Sequence, residues 1–182
     1  ITLAQLAEAK KALETYAKEG KTVLFVGGKK EISDIVKETA ESIGAPYVAG
    51  RWLGGTITNF GEIKKRIDRL ASLVSQRDSG ELQKKYTKLE RLFIDREITR
   101  LEERLGGIKS ISKRPDVFVI VDTNAENYAV KEARRAGIPI VGVMSSDCDV
   151  LDADYPVVAN DASRKTVALL LKELAAAVEA GK

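Results

Sequence analysis

The sequence predicts an α/β protein built on a five-stranded parallel sheet and interrupted by an antiparallel coiled-coil helical hairpin. Three observations lead there. Five short apolar runs rich in Val and Ile lack polar alternation, as strands buried on both faces do. Amphipathic helical stretches separate most of them, which is the crossover pattern of parallel strands. Between the second and third runs, two long segments instead repeat apolar residues every three or four positions.

In chain order, Leu3, Leu6, Ala7, Leu13 and Ala17 recur near helical spacing over Thr2–Glu19, with Thr2 placed as N-cap and Gly20 as stop. The first strand is Thr22–Val26. GGKK follows, and then a helix over about Glu31–Ile43, ended by Gly44. Pro46–Ala49 is the second strand. Val117–Val121 is the third, followed by a helix over about Glu126–Ala136 that stops at Gly137. Ile138–Met144 and Pro156–Ala159 are the fourth and fifth. The last helix starts near Ser163 and carries Val167, Leu170, Leu171, Leu174 and Val178.

The inserted segment has two apolar seams. One runs through Ile57, Phe60, Ile63, Ile67, Leu70 and Val74, the other through Ile94, Ile98, Leu101, Leu105 and Ile108. SQRDSGE between them supplies turn chemistry without an apolar anchor, so the helices are expected to pack antiparallel. Residues 57–106 are therefore assigned to a hairpin, and residues 1–56 and 107–182 to an α/β body. The insertion falls where a flavodoxin-like strand order, 2-1-3-4-5, reverses direction, and crevices at such points bind ligands.

Composition excludes much of enzyme chemistry. The 182 residues contain no histidine and one cysteine. That rules out, for this chain, a Ser-His-Asp triad, a histidine metal ligand, an internal disulfide and a cysteine zinc cluster. No apolar run approaches the roughly 18–20 residues needed to span a bilayer, and no signal-peptide pattern opens the chain. The first residue is Ile1, as in a processed or trimmed chain. Gly61–Gly106 holds 12 Lys or Arg against 9 Asp or Glu, which accounts for the whole net charge of +3. A balanced body with one mildly basic segment fits a local contact with a polyanion, and equally a solvated helical pair.

Individual motifs have plain and functional readings. Gly27–Lys30 (GGKK) joins a strand to a helix start, where glycines and free N–H groups suit a phosphate. It matches neither GxGxxG nor a Walker A sequence, so a tight turn with two solvated lysines is preferred. Asp122, with Thr123 and Asn124, ends a buried strand. A turn that caps the next helix is preferred over a catalytic carboxylate. Asp147 and Asp149 are read as a solvated acidic loop rather than a cation site, and Cys148 among them is assigned no chemistry. Trp52, the only tryptophan, is read either as a packing wedge at the hairpin root or as part of a backbone-contacting patch with Arg51 and Asn59.

Together, RWLGGTITNF (Arg51–Phe60), LGGIKSISKRPDVFVIVDTNAENYAVKEARRAGIPIVGV and ANDASRKTVALLL closely resemble the bacterial-type ribosomal protein S2 family, as does KTVLFVGGKKEISDIV. The resemblance runs in order along nearly the whole chain, the hairpin included. It implies a non-enzymatic structural protein of the small ribosomal subunit, cytoplasmic, with an organellar ribosome as the alternative, and without cofactors. The implied partners are small-subunit ribosomal RNA between head and body, neighbouring ribosomal proteins, and ribosomal protein S1, which it helps to dock for translation. The resemblance also implies a preceding N-terminal segment with a GVHFGHQ-like stretch, ahead of Ile1. At MSSDCDVLDADYPVV the chain departs from the family's usual DTNSDPDGVDFVI-like pattern, which puts partner docking through that loop in doubt.

The RNA-binding candidates are clusters of cationic side chains, with one asparagine, near the switch point and hairpin. They are Lys29 and Lys30 at the helix start, and Arg51 and Asn59 near the hairpin root. Lys64, Lys65, Arg66 and Arg69 follow on the first hairpin helix, and Lys109, Lys113 and Arg114 in the return connection. The alternatives are a sugar-phosphate isomerase-like α/β domain that holds phosphate at GGKK, and a scaffold whose hairpin contacts only proteins.

Overall fold

The computed structural model describes residues 2–182. Helix α1 (Thr2–Lys18) buries Ala9, Leu13 and Ala17. Gly20 at φ +70 stops it, with Gly20 N bonded to Ala17 O and Lys21 N to Tyr16 O, a paired C-terminal closure that favours glycine. Thr2 already lies within α1 rather than capping it, and its hydroxyl donates to the Val158 carbonyl at 2.8 Å.

The strands are β1 (Val23–Val26), β2 (Tyr47–Val48), β3 (Val117–Val121), β4 (Ile140–Met144) and β5 (Tyr155–Val158). They form one parallel sheet in the order β2-β1-β3-β4-β5, the arrangement the sequence predicts. Register aligns Phe25 with Tyr47, Val23 with Val117, Phe118 with Ile140, and Val141 with Tyr155. β4 begins two residues later than its apolar run. Pro139 has no N–H for a ladder, and its carbonyl instead accepts Phe118 N at 3.0 Å.

Side-chain alternation divides the interior into two cores. Val23, Phe25, Val119, Val121, Val141 and Val157 face α1, α2 (Ser33–Ser42) and α7 (Arg164–Ala180). Leu24, Val26, Phe118, Ile120 and Ile140 face the opposite layer, made by α6 (Asn127–Arg135) and the hairpin root. Ile57, Ile63, Ile67, Leu105 and Ile108 belong to that second core. The start of the insertion is thus packed into the body.

Beyond the root, α3 (Phe60–Asp78) and α5 (Lys88–Leu105) run alongside each other. Leu70, Leu73 and Ile98 form a separate small core there, flanked by Val74, Ile94 and Leu101. Early α3 meets late α5, so the two are antiparallel. The tip differs from its expected form. α3 continues through Asp78, so the turn is only Ser79–Gly80, with Gly80 at φ +73. A short helix α4 (Glu81–Lys85) follows, anchored by buried Leu82. Thr87 and Glu90 then close a reciprocal cap at the start of α5.

Candidate nucleic-acid interface

Between the C-terminal ends of β1 and β3 lies the switch-point crevice, about 480 Å³, lined by Gly28, Lys29, Arg51, Trp52, Glu126 and Tyr128. Its floor is crowded. A side chain at Gly28 would come within 2.6 Å of Gly50 O and 2.8 Å of Glu126 Oε1, so glycine alone fits. Gly28 N donates to Glu126 Oε1 at 2.8 Å. Burial pushes the Glu126 carboxyl above its ordinary value, the Gly28 bond opposes this, and the Asp122 charge adds to it.

Lys29 corrects the sequence reading of GGKK. Lys30 is solvated, but the Lys29 ammonium is ion-paired with the buried Asp122 carboxylate. That pairing raises the Lys29 ammonium above its usual range even though partial burial lowers it. Asp122 is the only non-glycine residue at positive φ among those described, at 63°, and its Oδ1 accepts Ala125 N at 2.9 Å. It shapes the turn ahead of α6, in agreement with the plainer of its two readings. Asp122, Cys148 and Asp161 bring ligand atoms within 4.8 Å of one another, the spacing of a cation-binding group. Lys29 supplies the positive charge at its edge. Asp147 and Asp149 are exposed and serve their own loop, accepting the Ser145 hydroxyl and Leu151 N.

The RWLGG stretch is organised by a residue the sequence reading passes over. Glu132, on α6, is buried and receives Trp52 Nε1 at 3.2 Å, Gly55 N at 2.6 Å, Ile57 N at 2.9 Å and Thr58 N at 3.2 Å. Burial alone would raise this carboxyl. The donors outweigh it and hold the group below the ordinary glutamate range. Trp52 packs on Phe118 with ring centroids 5.9 Å apart, so it wedges the hairpin root against the sheet. The signal for Glu132 is its place three residues after Ala129 on the apolar side of α6, hidden within the charged run KEARR.

The predicted cations fall into two groups. Lys29 pairs with Asp122, Lys65 with Glu62, Arg69 with Glu97 and Lys113 with Asp116. Among the described residues, Lys30, Arg51, Lys64, Arg66, Lys109 and Arg114 are exposed and have no carboxylate within ion-pair reach. Lys109, Lys113 and Arg114 point outward because buried Ile108, Ile111 and Pro115 pin the chain between them. At about 100° per residue, Lys65, Arg66 and Arg69 share one flank of α3 and Lys64 occupies the other. Asn59 is exposed at the start of α3, and its side chain makes no capping bond. The crevice gathers Lys29 and Arg51, and the remaining candidates are spread over the loop before α2, the start and body of α3, and the return connection.

The model of a family described as ribosomal protein S2 matches residues 1–181. The chain belongs to the ribosomal protein S2 family. It is 43% identical over 166 residues to the small ribosomal subunit protein uS2 of Wolinella succinogenes, covering 91% of this chain and 61% of that protein. It is 41% identical over 180 residues to the uS2 of Mycolicibacterium paratuberculosis, covering 99% and 65%. To that of Picosynechococcus sp. it is 40% identical over 186 residues, covering 100% and 72%. The chain thus spans less than two thirds of the length of the first two relatives. These S2-family relatives are named as ribosomal subunit proteins and not for a reaction. Among the described residues, no helix is long and apolar enough to cross a membrane.

Proposed function

We propose that this chain is a structural component of the small ribosomal subunit that seats folded ribosomal RNA between the subunit's head and body. The observation that carries this reading is the S2-family match along residues 1–181. The exposed, unpaired Lys30, Arg51, Lys64, Arg66, Lys109 and Arg114 support it. Cations of this kind neutralise phosphates and release counterions, which gives affinity with little sequence readout. RNA shape and 2′-hydroxyls then select the site. Residues 57–106 act as the arm that extends this contact away from the α/β body.

A phosphosugar enzyme is disfavoured by the crevice itself. Gly28 N is committed to Glu126 and Lys29 to Asp122, so the GGKK loop has little left to offer a phosphate. Docking of ribosomal protein S1 belongs to the same proposal. Exposed Val150 and Leu151 beside Asp147, Asp149 and Asp152 offer a protein-contact surface, even though this loop departs from the family pattern.

The test is filter binding of small-subunit ribosomal RNA across a salt series, with co-sedimentation in gently washed subunits. A balanced body predicts weak affinity in isolation and a shallow salt slope. Replacing Arg51, Lys109 and Arg114 by alanine is expected to lower the slope by about one for each phosphate left without its cation. Tight, salt-insensitive binding to arbitrary RNA, or absence from the subunits, overturns the reading.

A further inference from the structure

The two buried glutamates beside the switch-point crevice are provided for unequally. Glu132 receives four N–H groups and is held below the ordinary glutamate range. Glu126 lines the crevice, receives Gly28 N alone among the described residues, and stands above its ordinary value. The two oxygens of a carboxylate offer about four lone-pair sites. Buried and supplied with a single donor, Glu126 is an acceptor short of partners at the edge of an open space.

Its neighbours in the crevice are of another kind. Tyr128, two residues on in the first turn of α6, is 73% exposed. It shares the lining with Glu126 and with Arg51, an exposed cation outside the ion pairs of the body. An acceptor, an exposed aromatic ring and a cation thus border one space of about 480 Å³. That lies within the range of roughly 300–1,000 Å³ in which small ligands are held. Contacts to the RNA backbone alone would use the cation and leave the ring and the acceptor idle.

We propose that this crevice receives one unpaired guanine base of the bound RNA. The proposal rests on the RNA reading above and adds a base-specific contact to it. Guanine presents N1–H and its 2-amino group side by side to Glu126, stacks on Tyr128, and leaves a flanking phosphate to Arg51. Adenine and cytosine set their one amino group beside a ring-nitrogen lone pair, which repels a carboxylate. Uracil sets its one N–H between two carbonyls. A free nucleotide is a poorer occupant, because Gly28 N and Lys29 are committed and Arg51 is left alone for its phosphate. No single peptide side chain combines two N–H donors, a planar face and an adjoining anion.

Trp52 is the only tryptophan and borders the crevice, so its fluorescence reports occupancy. The test titrates the full chain with the five-nucleotide RNAs UUGUU, UUAUU and UUUUU, and with GMP. UUGUU is expected to bind most tightly, about tenfold over UUAUU. Tyr128→Ala is expected to weaken UUGUU about tenfold, Tyr128→Phe to retain it, and Glu126→Gln to erase the preference for guanine. Equal binding of UUGUU and UUAUU, GMP binding as tightly as UUGUU, or indifference to Tyr128→Ala overturns the proposal. In purified small subunits, p-benzoylphenylalanine at position 128 is expected to form an adduct at an unpaired guanine on irradiation. An adduct with a protein, with a paired nucleotide, or with no macromolecule overturns it. Tyr128→Ala is expected to bind small-subunit ribosomal RNA more weakly with the parent's salt slope and melting temperature. If the parent fails to bind that RNA, the RNA reading falls and this proposal with it. If the parent binds and these variants change nothing, this proposal alone falls.

Discussion

The switch-point crevice and the hairpin spend their charge in opposite ways. In the crevice, Lys29 answers Asp122, Gly28 N answers Glu126, and four N–H donors between Trp52 and Thr58 answer Glu132. These groups are buried or half-buried, and their partners lie far off in sequence. Along the hairpin the ion pairs are exposed, whether local, as Lys65 with Glu62, or between the helices, as Arg69 with Glu97, and at Lys64 and Arg66 they are absent. Charge in the body builds the fold. Charge on the hairpin is paired only at the surface, or left unpaired there.

This contrast is broken most directly at the hairpin root. Trp52→Ala removes the wedge on Phe118 and is expected to cost about 3–5 kcal/mol in denaturant unfolding. A loss under about 1 kcal/mol would mean that the root is held from elsewhere.

Glu132→Gln is expected to cost about 2 kcal/mol at neutral pH, since a charged acceptor of several N–H groups becomes a neutral one. The sign with pH follows from its lowered folded pKa. The contribution is complete above the ordinary glutamate value and is lost as pH falls through the lowered one. The parent should therefore lose stability in acid faster than the variant. Parallel curves would remove Glu132 from its role.

Glu126 bears the opposite sign. Its folded pKa is raised, so its contribution is greatest below the ordinary glutamate value and fades as pH rises through the raised one. Glu126→Gln keeps an oxygen for Gly28 N and is expected to gain up to about 1 kcal/mol at neutral pH, a gain absent in acid. Thermal melts at two pH values read this directly.

The smallest effect belongs to the hairpin surface. Arg69→Ala breaks an exposed pair with Glu97 and is expected to change stability by less than about 0.5 kcal/mol. A larger loss would mean that hairpin charge also serves the fold.

Much of the architecture is legible in the sequence because it is local or periodic. Val117–Val121 reads as a strand from five residues, and the order of the sheet follows from alternation plus the site of the interruption. The seams through Ile63, Ile67 and Leu70 and through Ile98, Leu101 and Leu105 are legible for the same reason. Leu82 escapes notice because one leucine in a polar run has no period. Lys29 reads as solvated because its partner, Asp122, lies 93 positions later and meets it only once β1 and β3 pair. Glu132 is hidden because a charged run looks the same whether it faces water or a ring of N–H donors. The cations nominated for RNA are mostly exposed, yet spacing alone does not separate Lys30, which is free, from Lys29, which is not.

The keystone at the hairpin root also sets a timetable. Glu132 lies 77 residues after Gly55 and 80 after Trp52. On a translating ribosome the RWLGG stretch and both hairpin helices leave the exit tunnel before the carboxylate that gathers them exists outside it. α3 and α5 are free to pair early through Leu70, Leu73 and Ile98. The angle at which that arm leaves the body is fixed only when β3 has been added to the sheet and α6 has been laid across it. A nascent chain paused before Glu132 would thus carry a formed arm on an unset shoulder.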